Sequence, residues 1–113
     1  MGRKFSEREE QLLEQMGAIP TVNSGASFGD GDGRIPAPHL TLYDYDGIAV
    51  EIKSTGKKQR AVSLEELRKI SDQAGHSMPA LIIDFYQEKR KYGNAFVIIS
   101  LDDFMALLRE YYQ

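Results

Sequence analysis

The 113 residues are enough for one domain, residues 1–113, with a single hydrophobic core, and their 42% hydrophobic and 27% charged side chains are those of an ordinary soluble globular protein. No apolar run approaches the ~18 residues of a membrane span, and Gly2-Arg3-Lys4-Phe5-Ser6 lacks the apolar core of a secretory signal, so no membrane partner and an intracellular, cytoplasmic location are expected. The lack of cysteine excludes disulfides and thiolate metal sites; with two histidines, any metal would lean on carboxylates, which suits Mg²⁺ or Mn²⁺, and the net charge of −3 gives no global field for nucleic acid.

In chain order, Phe5, Leu12, Leu13 and Met16 fall at helical spacing, which predicts a helix over residues 5–16 with Ser6 as cap and Gly17 ending it in a left-handed turn. Most of its acids Glu7, Glu9, Glu10 and Glu14 read as a wet face. Residues 18–23 read as a short strand, with Pro20 marking an edge or an irregular start. Residues 24–38 are too rich in Gly and Pro for a regular element. Their Gly-Asp-Gly-Asp-Gly core lacks the ligand spacing and closing Glu of an EF-hand, so a flexible loop near an active site is expected instead.

Residues 40–44 and 48–54 then suggest a hairpin around Tyr45-Asp46-Gly47, with Gly47 left-handed. To keep Leu40 and Leu42 on the face of Ile48, Val50 and Ile52, opposed residue numbers must sum to an even value, which sets 42 against 50 and 40 against 52. Thr41 would lie opposite Glu51 and His39 opposite Lys53. The second strand, Ile48-Ala49-Val50-Glu51-Ile52-Lys53-Ser54-Thr55, puts Glu51 and Lys53 together on the face opposite Ile48, Val50 and Ile52. Alone, such an acid and base would form a surface ion pair of about 0.2–1 kcal/mol.

Lys57, Lys58 and Arg60 follow in a basic loop. Ser63-Leu64-Glu65-Glu66 forms a capping box for a helix to about residue 74, with Leu64, Leu67, Ile70 and Ala74 inward and Gly75 as its stop. Residues 79–86 and 95–101 are apolar strands, joined by a loop that holds a second basic knot, Lys89, Arg90 and Lys91. Each knot reads as a solvated loop or, with the acidic centre, as a grip on a polyanion cut at a metal. Asp102 can cap a last helix with Phe104, Leu107, Leu108 and Tyr111 on one side. The tyrosines lie on different elements and read as core edges or an interface. The order is α-β-β-β-α-β-β-α in a single α/β domain.

That order, with Glu51-Ile52-Lys53 on the third strand, resembles the PD-(D/E)XK nuclease superfamily and, within it, the small Holliday junction resolvases of archaeal and phage type. The residues that carry the resemblance are Ser6-Glu7-Arg8-Glu9 in the first helix, the Gly17 turn, Ser24-Gly25, Pro38-His39-Leu40, Glu51-Ile52-Lys53-Ser54-Thr55, the capped helix and Pro79-Ala80-Leu81-Ile82-Ile83. The resemblance implies a restriction-endonuclease-like fold, a mixed sheet flanked by helices. It also implies a DNA endonuclease in which two carboxylates hold Mg²⁺ or Mn²⁺ while a lysine orients the attacking water.

On that resemblance Glu51 is a metal ligand and Lys53 the catalytic lysine, Glu7 or Glu10 supplies a first-helix acid, and Ser24 contacts DNA or the metal's outer shell. Lys57, Lys58, Arg60, Lys89, Arg90 and Lys91 would bind DNA, and two symmetric cuts imply a homodimer on branched DNA. One position departs from the family pattern: the usual motif Asp is His39. Three readings stay open. His39 binds metal itself, which suits Mn²⁺ or Zn²⁺ better than Mg²⁺; Asp32, or less readily Asp30, supplies the carboxylate; or the site is weakened or dead. Two other classes stay open beside the resolvase: a same-fold nuclease acting on flaps, ends or duplex in repair, restriction or packaging, and an inactive DNA-binding or assembly protein.

Overall fold

The computed structural model describes residues 2–20, 32–36, 45–87 and 92–111. The first helix, α1 (Gly2–Gln15), starts earlier than expected, so Ser6 lies within it rather than capping it. It ends as expected at Gly17, with φ 70°. The Gly17 N–H donates to Glu14 O at 3.0 Å and the Ala18 N–H to Leu13 O at 2.8 Å, the paired bonds of a Schellman motif, and Ala18 packs beside Leu13 in the core. This sharp exit delivers the chain into β1 (Ile19–Pro20), an edge strand as Pro20 suggested.

The second strand corrects the expected hairpin. β2 (Asp32–Pro36), from the stretch read as loop, pairs antiparallel with β3 (Gly47–Thr55), in the register Asp32↔Glu51, Gly33↔Val50, Ile35↔Ile48 and Pro36↔Gly47. Opposed numbers therefore sum to an odd value. The places opposite Val50 and Glu51 that had been given to Leu42 and Thr41 are filled by Gly33 and Asp32 of β2, so the register that set His39 against Lys53 loses its basis. Residues 37–44 themselves lie outside the described residues. Gly47 does not turn a hairpin; it pairs with Pro36, and a Cβ there would meet Ile35 O at 2.6 Å.

Helix α2 (Leu64–Ala74) crosses to β4 (Met78–Gln87), which runs parallel to β3, and β5 (Tyr92–Ile98) returns antiparallel to β4. The five-stranded mixed sheet has the order β1-β2-β3-β4-β5. Helix α3 (Leu101–Tyr111) closes the chain, so the eight elements follow the expected order. Ser63 caps α2, its Oγ accepting from Glu66 N at 3.0 Å. At α3 the cap is Ser100, not Asp102: the Asp103 N–H donates to Ser100 Oγ at 3.0 Å.

Alternation divides the core between the two faces. Leu12 and Leu13 of α1 bury against Val50, Ile52, Ala80 and Ile82. On the same face Ala106 of α3 packs with Met78, Ile48 and Tyr45, whose hydroxyl donates to Asp103 at 2.9 Å. On the other face Ile70 of α2 covers Leu81 and Ile83, with Leu67 and Phe85 beside them. Leu64 and Phe104, expected inward, are 62% and 48% exposed. Leu64 is the first residue of α2, ahead of the turn that reaches the sheet through Leu67 and Ile70, whereas α3 turns Asp103 and Ala106 inward, which leaves Phe104 to the outer side.

Two polar ties lock this frame. The buried Asp84 takes both Arg8 Nε at 2.8 Å and Arg8 Nη2 at 3.2 Å, and these bonds hold the Arg8 guanidinium above its ordinary pKa. Asp46 accepts Ser77 Oγ at 2.7 Å, gives its N–H to His76 O at 3.1 Å and pairs with Arg34, fastening the starts of β3 and β4 to β2. Ser77 first, then Arg34, lower the Asp46 pKa. His76 itself, after the helix stop, is exposed.

Two stability changes follow. Arg8→Ala leaves a carboxylate at 0% exposure without its cation and should cost about 3–5 kcal/mol in urea unfolding. At Gly33 a Cβ would meet Leu13 Cδ2 at 2.5 Å and Ile19 O at 3.2 Å. Since Leu13 is only 3% exposed and cannot swing away, Gly33→Ala should cost about 1–3 kcal/mol. A midpoint equal to the parent's would show that α1 does not fix the β2 register.

Candidate functional site

The register that displaced the expected hairpin builds a site. Asp32 sits directly opposite Glu51, so the two carboxylates rise from the same face with Cβ atoms about 4.5–5.5 Å apart. Lys53, two residues along, shares that face as expected, and its Nζ lies 3.2 Å from Glu51 Oε1. The face is the one α2 partly covers. Because α2 sits over β4 through Ile70 and Leu67, the β2–β3 side stays open as a cleft of about 570 Å³ between Asp32, Glu51 and Lys53 on the sheet and Glu66, Lys69 and Gln73 on the helix. A second cleft of about 370 Å³ adjoins it and shares Asp32, Glu51 and Gln73.

The charges alternate in sign across the cleft. Glu51 pairs with Lys53, and Arg60 grips both oxygens of Glu66, Nη1 to Oε1 at 3.0 Å and Nη2 to Oε2 at 2.7 Å. Arg60's hydrogen bonds, with the charges of Arg60 and Lys53 behind them, hold the Glu66 carboxyl below its ordinary pKa. Glu66 in turn raises Arg60, with a smaller contribution from Glu51.

The sequence-predicted residues separate clearly. Asp32, Glu51 and Lys53 come together. Glu7 and Glu10 are exposed on α1, which packs against the opposite face through Leu12 and Leu13, and neither lines the two clefts. Lys57 and Lys58 are exposed in the turn after β3, while Arg60 is only partly exposed and engaged by Glu66 rather than presented to solvent as a phosphate contact. Ser24, Asp30, His39, Lys89, Arg90 and Lys91 lie outside the described residues. Among the described residues no three His, Asp or Glu side chains gather as a metal-binding group.

Three cleft residues carried no flag in the sequence beyond the capping role of Glu66. Glu66, Lys69 and Gln73 stand three and four apart, a polar stripe alongside the apolar Leu67, Ile70 and Ala74, and that spacing is the signal that would have found them. No family model, curated protein or solved structure matches the chain. Among the described residues, no helix is long and apolar enough to cross a membrane.

The Glu66 carboxyl has a folded-state pKa below its unfolded value, so its pair with Arg60 stabilises the fold at neutral pH and is lost as pH falls through that lowered value. The stability difference between the parent and Glu66→Gln should be about 1 kcal/mol at pH 7. It should shrink towards zero in denaturant titrations repeated below about pH 4; Ser63 keeps its backbone cap in both proteins.

Proposed function

We propose that the chain is a divalent-metal-dependent, structure-selective DNA endonuclease of restriction-endonuclease-like fold, with Asp32, Glu51 and Lys53 as its reaction centre and the four-way junction as its preferred substrate. The observation that carries the reading is the pairing of Asp32 with Glu51, one step from Lys53 on the same face. It favours the open alternative in which the glycine-rich stretch supplies the carboxylate missing at His39. The mixed sheet flanked by helices is also of the kind the resemblance implies.

Two carboxylates side by side offer hard oxygen donors, a set that fits Mg²⁺ or Mn²⁺ completed by water and substrate phosphate. Asp32 and Glu51 would hold the ion, which when bound supplies Lewis-acid charge at the scissile phosphate. Lys53, a compact cation beside Glu51, orients the attacking water and offsets the charge that grows on the pentacoordinate phosphorus. The water's oxygen forms the new bond to phosphorus as one ester P–O bond breaks, and the leaving oxygen takes a proton. The partial cover by α2 limits solvent on one side, while the open β2–β3 side admits a strand.

Junction resolution asks for a two-fold dimer. β3 and β4 are interior strands, so neither offers a free edge for it. The exposed Leu101, Phe104 and Met105 make α3 the surface proposed for it.

One experiment tests the reading: labelled four-way junction, flap and duplex DNA incubated with Mg²⁺ or Mn²⁺. The parent should cut the junction, and Asp32→Ala, Glu51→Ala and Lys53→Ala should each lose about 10²–10³-fold in rate. Parental activity in Asp32→Ala removes the proposed centre. Equal cutting of all three DNAs, or a monomer by light scattering, removes the resolvase part and leaves a nuclease of another substrate. Salt-dependent binding without cutting by either metal would mark a DNA-binding protein instead.

A further inference from the structure

On the face that carries Lys53 the sheet also presents an aromatic pair. Phe85 and Phe96 meet edge to face, with centroids 6.3 Å apart and planes at 70°. Phe85 is partly buried beside Ile70 and Ile83, while Phe96 is 60% exposed. The ring of Phe96 is therefore held from one side and open on the other. In register, Lys53 stands opposite Ile83 and Ile83 opposite Phe96, which sets Phe96 about 10 Å from Lys53 across two strand spacings.

The basic turn adjoins the same rings. Thr55 is the partner of Phe85, and Thr55 Oγ1 accepts the Lys57 N–H at 3.1 Å, so the turn is tied back onto the strand. A Cβ on Gly56 would stand 3.9 Å from Tyr86 O, which places the turn beside the end of β4. Lys57 and Lys58 are exposed there, unlike Arg60 with its Glu66.

We infer that Phe96, backed by Phe85 and with the exposed Lys57 and Lys58 in the turn beyond Phe85, is a binding site for an unpaired nucleic-acid strand, a base stacking on the Phe96 ring while the lysines hold phosphates further along the strand. An exposed ring beside paired cations is what sequence-tolerant single-strand binding requires. A second copy docked here about a two-fold axis would bring its lysines toward these, which like charge opposes. The inference rests on the nuclease reading for its biological role: a strand frayed from a branched substrate is anchored about 10 Å from the reaction centre. Its test, however, reads binding alone.

Fluorescence anisotropy with a labelled single-stranded 12-mer and the matching duplex, in EDTA so that nothing is cut, supplies the measurement. Phe96→Ala should lower the ratio of single-strand to duplex affinity about tenfold, and Phe96→Trp should retain or raise it. Lys57→Ala with Lys58→Ala should weaken single-strand binding and flatten its dependence on salt. The site is overturned if Phe96→Ala leaves the ratio unchanged. It is also overturned if that variant instead halves the particle mass in light scattering, since the ring would then be a subunit contact. Ring-dependent binding with no cutting by the parent sinks only the nuclease reading; cutting with no dependence on Phe96 sinks only this site.

Discussion

Everything on the β2 side of the molecule depends on one close approach, that of Leu13 to Gly33. The Schellman turn at Gly17 ends α1 so that Leu13 points into the sheet and the chain leaves directly as β1. β1 then pairs Ile19 with Arg34 and Pro20 with Gly33, placing β2 beneath the helix end. Gly33, opposite Val50, is the position where a side chain has no room. A slip of β2 by one residue would bring Asp32 or Arg34 under Leu13 and turn every side chain to the other face. The packing of an apolar helix on a glycine thus fixes which residue stands against Glu51.

The two faces use charge in opposite ways. On the α1 face Arg8 and Asp84 form one buried pair that joins residues 76 apart in sequence. Burial makes such a pair costly to form and costly to break, so it acts to specify the docking of α1 on β4. On the α2 face Glu51, Lys53, Glu66 and Arg60 alternate in sign and remain partly exposed. Each is stabilised by its neighbours, and a phosphate entering the cleft would compete with Glu51 for Lys53. This face can stay polar because α2 spends its apolar stripe on β4 and leaves β2 and β3 uncovered.

Local pattern carried a good part of this into the sequence. The Gly17 stop, the Ser63 cap, the apolar β4 and β5 and the sharing of one face by Glu51 and Lys53 follow from interactions within a few residues, which spacing alone reveals. Where a long-range contact decides, the sequence misleads. Leu40 and Leu42 alternate as a strand should, whereas Asp32-Gly33-Arg34-Ile35-Pro36 has one large apolar residue and three residue types that strands disfavour. Its glycine is nonetheless what the helix above demands. The expected inward faces of α2 and α3 fail at Leu64 and Phe104 for a related reason: period sets a stripe, but packing against the sheet sets which residues are used, and in α3 those are Asp103 and Ala106.

The sequence by itself determined the side of the sheet on which Glu51 and Lys53 stand, the stop of α1 at Gly17 and both ends of α2, because each is set by dihedral preference and periodicity along the chain. Only the tertiary structure decided that Asp32 is the residue opposite Glu51, that Arg60 is held by Glu66, and that Glu66, Lys69 and Gln73 face the cleft. Those outcomes depend on register and on the placement of α2 over β4, and both are fixed by packing between segments that are far apart in the chain.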